Sequence, residues 1–208
     1  VNNLAKVISP PYDVISADQQ QQLLNLSPFN FTHIDFNEDK PSDKKDNNKY
    51  TRAAKTLDDW LKKGVMVQDE EPSIYFYRQD FKVMGEKHSR LGFISLMQLE
   101  NERDSKVRPH EKTHAAAVED RLKLTKALNA NLSSIFVCYA DKFRKVEKIF
   151  LKQLSSTKAM IDVEDPDRVR HRLWRLSDPE LIQEINQSLV DQQLFIADGH
   201  HRYKVAGE

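Results

Sequence analysis

Apolar and polar positions along the chain switch repeatedly between a helix period and a strand period. Pro10-Pro11-Tyr12-Asp13-Val14-Ile15-Ser16 reads as a rigid extended entry, since each proline fixes φ and restricts the residue before it. Ser16 is then placed to cap a helix reaching about Leu24. Residues 31–36 alternate as a strand would, and the polar stretch 38–48, with Pro41, is expected to be a mobile loop. Over residues 50–62 the apolar positions Ala53, Ala54, Leu57, Trp60 and Leu61 follow a helix, which Gly64 is placed to end. Residues 74–81 and 90–99 read as antiparallel neighbours around Met84-Gly85-Glu86. Beyond them come a helix over 122–128, a buried strand over 134–139 and an amphipathic helix over 142–154. A strand over 173–176, a helix over 179–189 and a last strand over 194–197 complete the pattern. This alternation predicts an α/β (mixed α+β) fold, a mixed sheet flanked by helices, with residues 1–208 as a single globular domain.

Composition narrows the partners. Lys+Arg and Asp+Glu both number 32, so no basic excess draws the chain to nucleic acid or an anionic membrane. The sequence shows no apolar run of about 18 residues and no signal-peptide pattern. The single cysteine, Cys138, excludes an internal disulfide framework and fits a reducing compartment. Within Ile135-Phe136-Val137-Cys138-Tyr139 it reads as a buried structural thiol. The expectation is a soluble cytoplasmic protein whose oligomeric state stays open.

The densest chemistry lies at the end. The strand-type run Leu194-Phe195-Ile196-Ala197 stops at Asp198-Gly199, and His200-His201-Arg202-Tyr203 follows at once. Asp-Gly signals a turn, and Gly199 lets the backbone come close to a ligand. Two imidazoles and a guanidinium fork then lie at one strand end, where open α/β sheets commonly bind ligands. The alternative is a surface turn with a solvated histidine pair. The helical turn 202–206 is shorter than a usual helix, so the chain is expected to be the front part of something longer.

A second constellation is Arg108-Pro109-His110-Glu111-Lys112-Thr113-His114, followed by Glu119-Asp120-Arg121. His110 to His114 satisfies H-E-x-x-H, which on a helix places two zinc ligands on one face beside a general base. Pro109 directly before it, and the lack of an obvious third ligand, argue against zinc chemistry. A loop presenting His110, Glu111 and Thr113 to a polar cleft is the preferred reading, and a helix N-terminus capped by Thr113 or Asp120 is the alternative.

Together, the Pro-Pro-Tyr-Asp-Val-Ile entry, the run 108–113, Glu119-Asp120-Arg121-Leu122 and Ala197-Asp198-Gly199-His200-His201-Arg202-Tyr203 resemble a bacterial and archaeal family. It is the uncharacterised domain of unknown function 1015, and the resemblance covers essentially the whole chain, including the contexts of Trp60, Tyr75 and Trp174. Members typically continue well past the His-His-Arg motif, and His114 lies outside the family pattern. The resemblance implies a fold and a site and supplies no activity. The closing motif alone is also similar to the phosphate-binding signature of the ParB and sulfiredoxin superfamily. That superfamily includes nucleotide-binding partition proteins, a sulfinic-acid reductase and free-serine kinases. The lack of a cysteine near the motif excludes reductase chemistry.

The leading expectation is a protein that binds a phosphorylated small molecule or nucleotide, acting as a phosphotransferase or nucleotide hydrolase. Arg202 and His201 would hold phosphate oxygens, with Gly199 approaching them. Asp198 or Glu111 would act as general base or hold Mg²⁺ beside ATP or ADP, and His110 or His200 would move a proton. Tyr12, Asp13, Arg108, Thr113 and Arg121 complete the ligand-binding set, and no metal ligands are assigned. On this reading Arg202→Ala weakens binding by roughly 1.5–3 kcal/mol. Two alternatives remain: a non-catalytic nucleotide-sensing or partner-binding module related to partition proteins, and a metal-dependent hydrolase using His110, Glu111 and His200.

Overall fold

Ser16 opens the first helix of the computed structural model, which describes residues 3–100 and 105–208. Its hydroxyl accepts the Gln19 N–H while the Gln19 side chain accepts the Ser16 N–H, a capping box that starts α1 (Ala17–Leu26). Residues 31–36 form no strand. Thr32–Asp35 is a short helix, α2, because the Asn30 side chain organises the chain before it. Asn30 is fully buried, donates to the Lys6 and Ile8 carbonyls, and accepts the Thr32 N–H at 3.0 Å. The six-residue alternation also places Phe31, Ile34 and Asp35 at helical spacing, and a window that short cannot separate the two periods.

Next, α3 (Lys49–Lys62) starts at Asn48, whose side chain caps Tyr50 and Thr51, and gives way at Gly64 with φ +66°. The preceding 38–48 segment is a loop gripped by Arg52, which bonds both Asp43 oxygens and the Glu38 carbonyl. Strands β1 (Ile74–Val83) and β2 (Glu86–Ile94) form the expected antiparallel hairpin, turning at Met84 and Gly85 with φ +50° and +85°. The elements that follow are β3 (Val107–Arg108), α4 (Ala115–Leu128), β4 (Phe136–Cys138) and α5 (Lys145–Ser156). Then come β5 (Ile161–Glu164), β6 (Arg170–Leu176), α6 (Pro179–Leu189), β7 (Leu194–Asp198) and α7 (His200–Ala206).

The fold is therefore mixed α/β, with two sheets among the described residues. One is antiparallel in the order β2-β1-β6-β5; the other has the order β3-β7-β4, with β3 and β7 parallel. β5 has no counterpart in the sequence reading, and α4 begins seven residues before the expected helix start at 122. β4 is only three residues long, and Cys138 is exposed on it, which corrects the buried thiol expected there. No described helix is long and apolar enough to cross a membrane.

The described residues gather into two compact units. The first draws on Val1–Gln68, Glu111–Phe136 and Asp198–Glu208, the second on Asp69–His110 and Val137–Ala197. In the second, one face of β1 and β6 contributes Ile74, Phe76, Trp174 and Leu176 to a core completed by Val146, Phe150 and Ile185. Phe76 stacks on Phe150 at 4.5 Å, and Phe150 meets Trp174 edge-on. In the first, a smaller apolar cluster of Ala53, Leu124 and Leu128 joins α3 to α4.

Candidate functional site

β7 ends at Asp198, and Gly199 turns the chain into α7 with φ +91°, a left-handed backbone that glycine adopts at least cost. A second constraint acts at the same residue. A Cβ on Gly199 would lie 3.1 Å from Cζ, Nε and Nη2 of Arg202, so the Arg202 side chain folds back over the glycine. From there Arg202 donates to Asp198 Oδ2 and to the Ser134 carbonyl, both at 2.5 Å, with 13% of its side chain exposed. Gly199 thus admits a guanidinium belonging to its own chain.

The two histidines are each met by the segment preceding α4. The buried His200 places Nδ1 3.5 Å from Glu111 Oε2, an ion-pair distance rather than a close hydrogen bond, and Glu111 is exposed. His201 Nε2 accepts the His114 N–H at 3.0 Å, and the two rings stack with centroids 6.0 Å apart. Accepting from a backbone N–H requires a lone pair on Nε2, which assigns any proton of a neutral His201 ring to Nδ1. His114 is also the N-cap residue of α4, with no side-chain cap bond.

Behind this turn, in the same unit, lies a buried charge cluster on Arg121, a residue 6% exposed. Its Nη1 donates to the Asp35 carbonyl at 2.8 Å and to Asp35 Oδ1 at 3.3 Å, while Nε and Nη2 reach Asp120 Oδ2. The Tyr12 ring packs 3.9 Å from the guanidinium carbon. Burial pushes the Asp35 carboxyl up from the ordinary carboxylate value, against the pull of Arg121 and a Ser133 hydrogen bond. Burial also raises Asp120, but hydrogen bonds from Arg121, Tyr50 and Lys49 outweigh it and hold this carboxyl low. Tyr50, giving its hydroxyl to Asp120 at 2.8 Å, is pushed up to about 12 by burial and by that carboxylate. Tyr12 is raised by burial, with Arg121 and Arg202 opposing. Both Tyr12 and Asp35 feel the charges of Arg121, Arg202 and Asp13, so the buried cluster and the His-His-Arg turn are electrically one neighbourhood.

The structure thus brings Glu111, Asp198, Gly199, His200, His201, Arg202, Tyr12 and Arg121 into one unit, with Asp13 exposed on the short turn Tyr12–Val14 and Thr113 half-buried just before α4. Arg108, exposed on β3 opposite Phe195, and the exposed His110 belong to the second unit. The H-E-x-x-H match falls on a non-helical segment, so its histidines do not share a helix face. Among the described residues no group of three or more His, Cys, Asp or Glu is placed to hold a metal ion. Sequence reasoning missed Asp35, Ser133, Ser134 and the part played by His114. Asp35 was hidden in the misread 31–36 segment, Ser134 contributes only its carbonyl, and His114 binds through its N–H.

A Pro-Pro-Tyr-Asp entry, an acid-arginine pair on α4 and a strand-Gly-His-His-Arg turn are thus gathered in one unit. The chain belongs to the family described as protein of unknown function, DUF1015, whose model matches residues 1–208. No curated protein and no solved structure matches the chain.

Proposed function

We propose that the protein binds a small phosphorylated molecule, a nucleotide or a phosphorylated metabolite, at the face formed by residues 111–114 and 198–202. One observation carries this reading: two successive imidazoles are each met by a single distant segment, His200 approached by the Glu111 carboxylate and His201 hydrogen-bonded by the His114 N–H. Solvated surface histidines need no such partners. With Nε2 occupied, neutral His201 offers Nδ1–H to a ligand oxygen. An imidazole oriented by a carboxylate is suited to proton transfer, which gives His200 and Glu111 the acid-base role. Arg202 contributes positive charge from a fixed position, because both terminal nitrogens already serve Asp198 and the Ser134 carbonyl. Asp198 is held in that ion pair, leaving Glu111 as the better carboxylate for a base or for Mg²⁺ accompanying ATP or ADP. Mg²⁺ commonly binds through one or two carboxylates with waters and substrate phosphates.

A second reading, a non-catalytic nucleotide-sensing module, is favoured by a different feature. Phosphoryl transfer depends on cations facing the phosphates, whereas Arg121 and Arg202 both face carboxylates. The likeness of the closing motif to partition proteins rests on sequence alone.

Calorimetry with ATP, ADP and pyrophosphate, with and without Mg²⁺, tests the proposal. The expected result is saturable binding that His201→Ala weakens about tenfold, the equivalent of one hydrogen bond. Turnover of the bound nucleotide would assign the acid-base pair a catalytic role, and binding without turnover would assign the sensing role. No binding by any of the three, or equal affinity in His201→Ala, would leave the cluster as a structural clip.

A further inference from the structure

The first unit carries a second polar recess built from none of the residues just described. Its volume is about 380 Å³, and its lining includes Asn25, His33, Glu38, Lys40, Arg52 and Lys55. That is the small end of the range of roughly 300–1,000 Å³ typical of ligand sites. Three cations and one carboxylate line it. The carboxylate, Glu38, is already paired with Lys40 at 3.2 Å and takes the Gln21 amide at 2.8 Å.

The two other cations differ in how they are held. Arg52 gives Nη1 and Nη2 to Asp43 and Nη2 also to the Glu38 carbonyl, which fixes its position in the wall. Its Nε–H is buried without a hydrogen-bond partner among the described residues. A buried donor left unpaired is costly. Lys55 is exposed on the same helix, one turn on, and forms no ion pair among the described residues. An ammonium acts as a point charge for phosphate or carboxylate, and an N–H at fixed position gives direction.

From a lysine without an ion pair beside an ion-paired arginine that keeps one N–H unpartnered, we infer that the recess binds a small oxyanion carrying more than one negative charge, a phosphate or polycarboxylate group. The inference is independent of the ligand proposed for the His-His-Arg face. Backbone ¹H–¹⁵N NMR of the full chain, titrated separately with inorganic phosphate, pyrophosphate and citrate, tests it. Saturable shifts are expected at Asn25, His33, Arg52 and Lys55, with affinity falling as salt rises. Lys55→Gln, on the exposed side of α3, should weaken binding about tenfold without altering the spectrum elsewhere. Arg52→Lys removes the Nε–H and should also weaken it, though it loosens the 38–48 loop as well. Saturation by the phosphates alone would make the natural ligand phosphorylated, and saturation by citrate alone would make it a polycarboxylate. No saturable shift at these residues with any probe, or unchanged affinity in Lys55→Gln, overturns the inference. Shifts confined to residues 111–114 and 198–202 would overturn it while leaving the first proposal standing.

Discussion

Around Phe76 the second unit buries rings and aliphatic chains against one another, whereas around Arg121 the first unit buries an ion pair, an amide, a hydroxyl and an imidazole. Asn30, Thr32, Asp35, Arg121 and His200 are all buried in the first unit, and Ser105 is the buried polar residue described in the second. Apolar burial stabilises at little risk, while polar burial costs free energy unless every group finds a partner. The first unit meets most of that demand, with the Thr32 hydroxyl and the Arg52 Nε–H left unpaired among the described residues. Polar burial held in place this closely marks where a protein keeps chemistry, and the His-His-Arg turn lies in the same unit.

On this contrast the two units should fail differently. Phe76→Ala removes a fully buried ring stacked on Phe150, and a loss of about 4 kcal/mol is expected in urea unfolding. Polar replacements at the turn should leave that core's contribution untouched. Arg121→Met should cost about 3 kcal/mol, because it strands the Asp35 carboxylate in a buried position. Adding Asp35→Leu should recover part of that loss. A double variant no more stable than Arg121→Met alone would mean that the stranded charge is not the cause.

Gly199→Ala should cost about 1–2 kcal/mol from its left-handed backbone, and more if the Arg202 guanidinium cannot give way to the new methyl. Wild-type stability in the alanine variant would show that the turn relaxes and Arg202 is not clipped there. For the same reason Arg202→Ala is expected to lower the unfolding midpoint more than ligand affinity, a reversal of the effect read from the sequence.

The smallest effect separates two carboxyls, Asp80 of the second unit and Asp35 of the first, by the sign of their response to acid. Burial raises the Asp80 carboxyl, but hydrogen bonds from Ser89, Arg172 and Arg78 outweigh this and take it down to about 2. A carboxyl lowered on folding stabilises above its unfolded value near 3.8, and that contribution is lost as pH falls towards 2. Asp35, raised by burial, runs the other way: its ionised form is disfavoured by folding, and the cost disappears as pH falls through its folded value. Asp80→Asn should therefore flatten the acid side of the stability profile by about 1 kcal/mol, after allowance for solvent screening. An unchanged acid limb in that variant would show that the network around Asp80 adds nothing net.

What the sequence made legible follows the reach of each interaction. The Ser16 cap and the turns at Gly64, Gly85 and Gly199 act within a few residues, and all were readable. The 31–36 segment was misread because Asn30 is held from Lys6 and Ile8, more than twenty residues away. Cys138 was misread because a three-residue strand has an outer face that an apolar run conceals. The residue types of the site were visible, but its pairings were not. His201 finds the His114 N–H across 87 positions and Arg121 finds Asp35 across 86, and no local periodicity encodes either.

The central claim, that partnered imidazoles on the 111–114 and 198–202 face bind a phosphorylated ligand, is tested most directly by imidazole ¹H–¹⁵N NMR during an ATP titration. The account predicts that the His200 and His201 ring signals shift together to saturation, with His201 retaining an unprotonated Nε2, while His88 and His171 stay unmoved. His200 and His201 rings that do not respond, in a sample that calorimetry shows to be saturated or unable to bind, would contradict it.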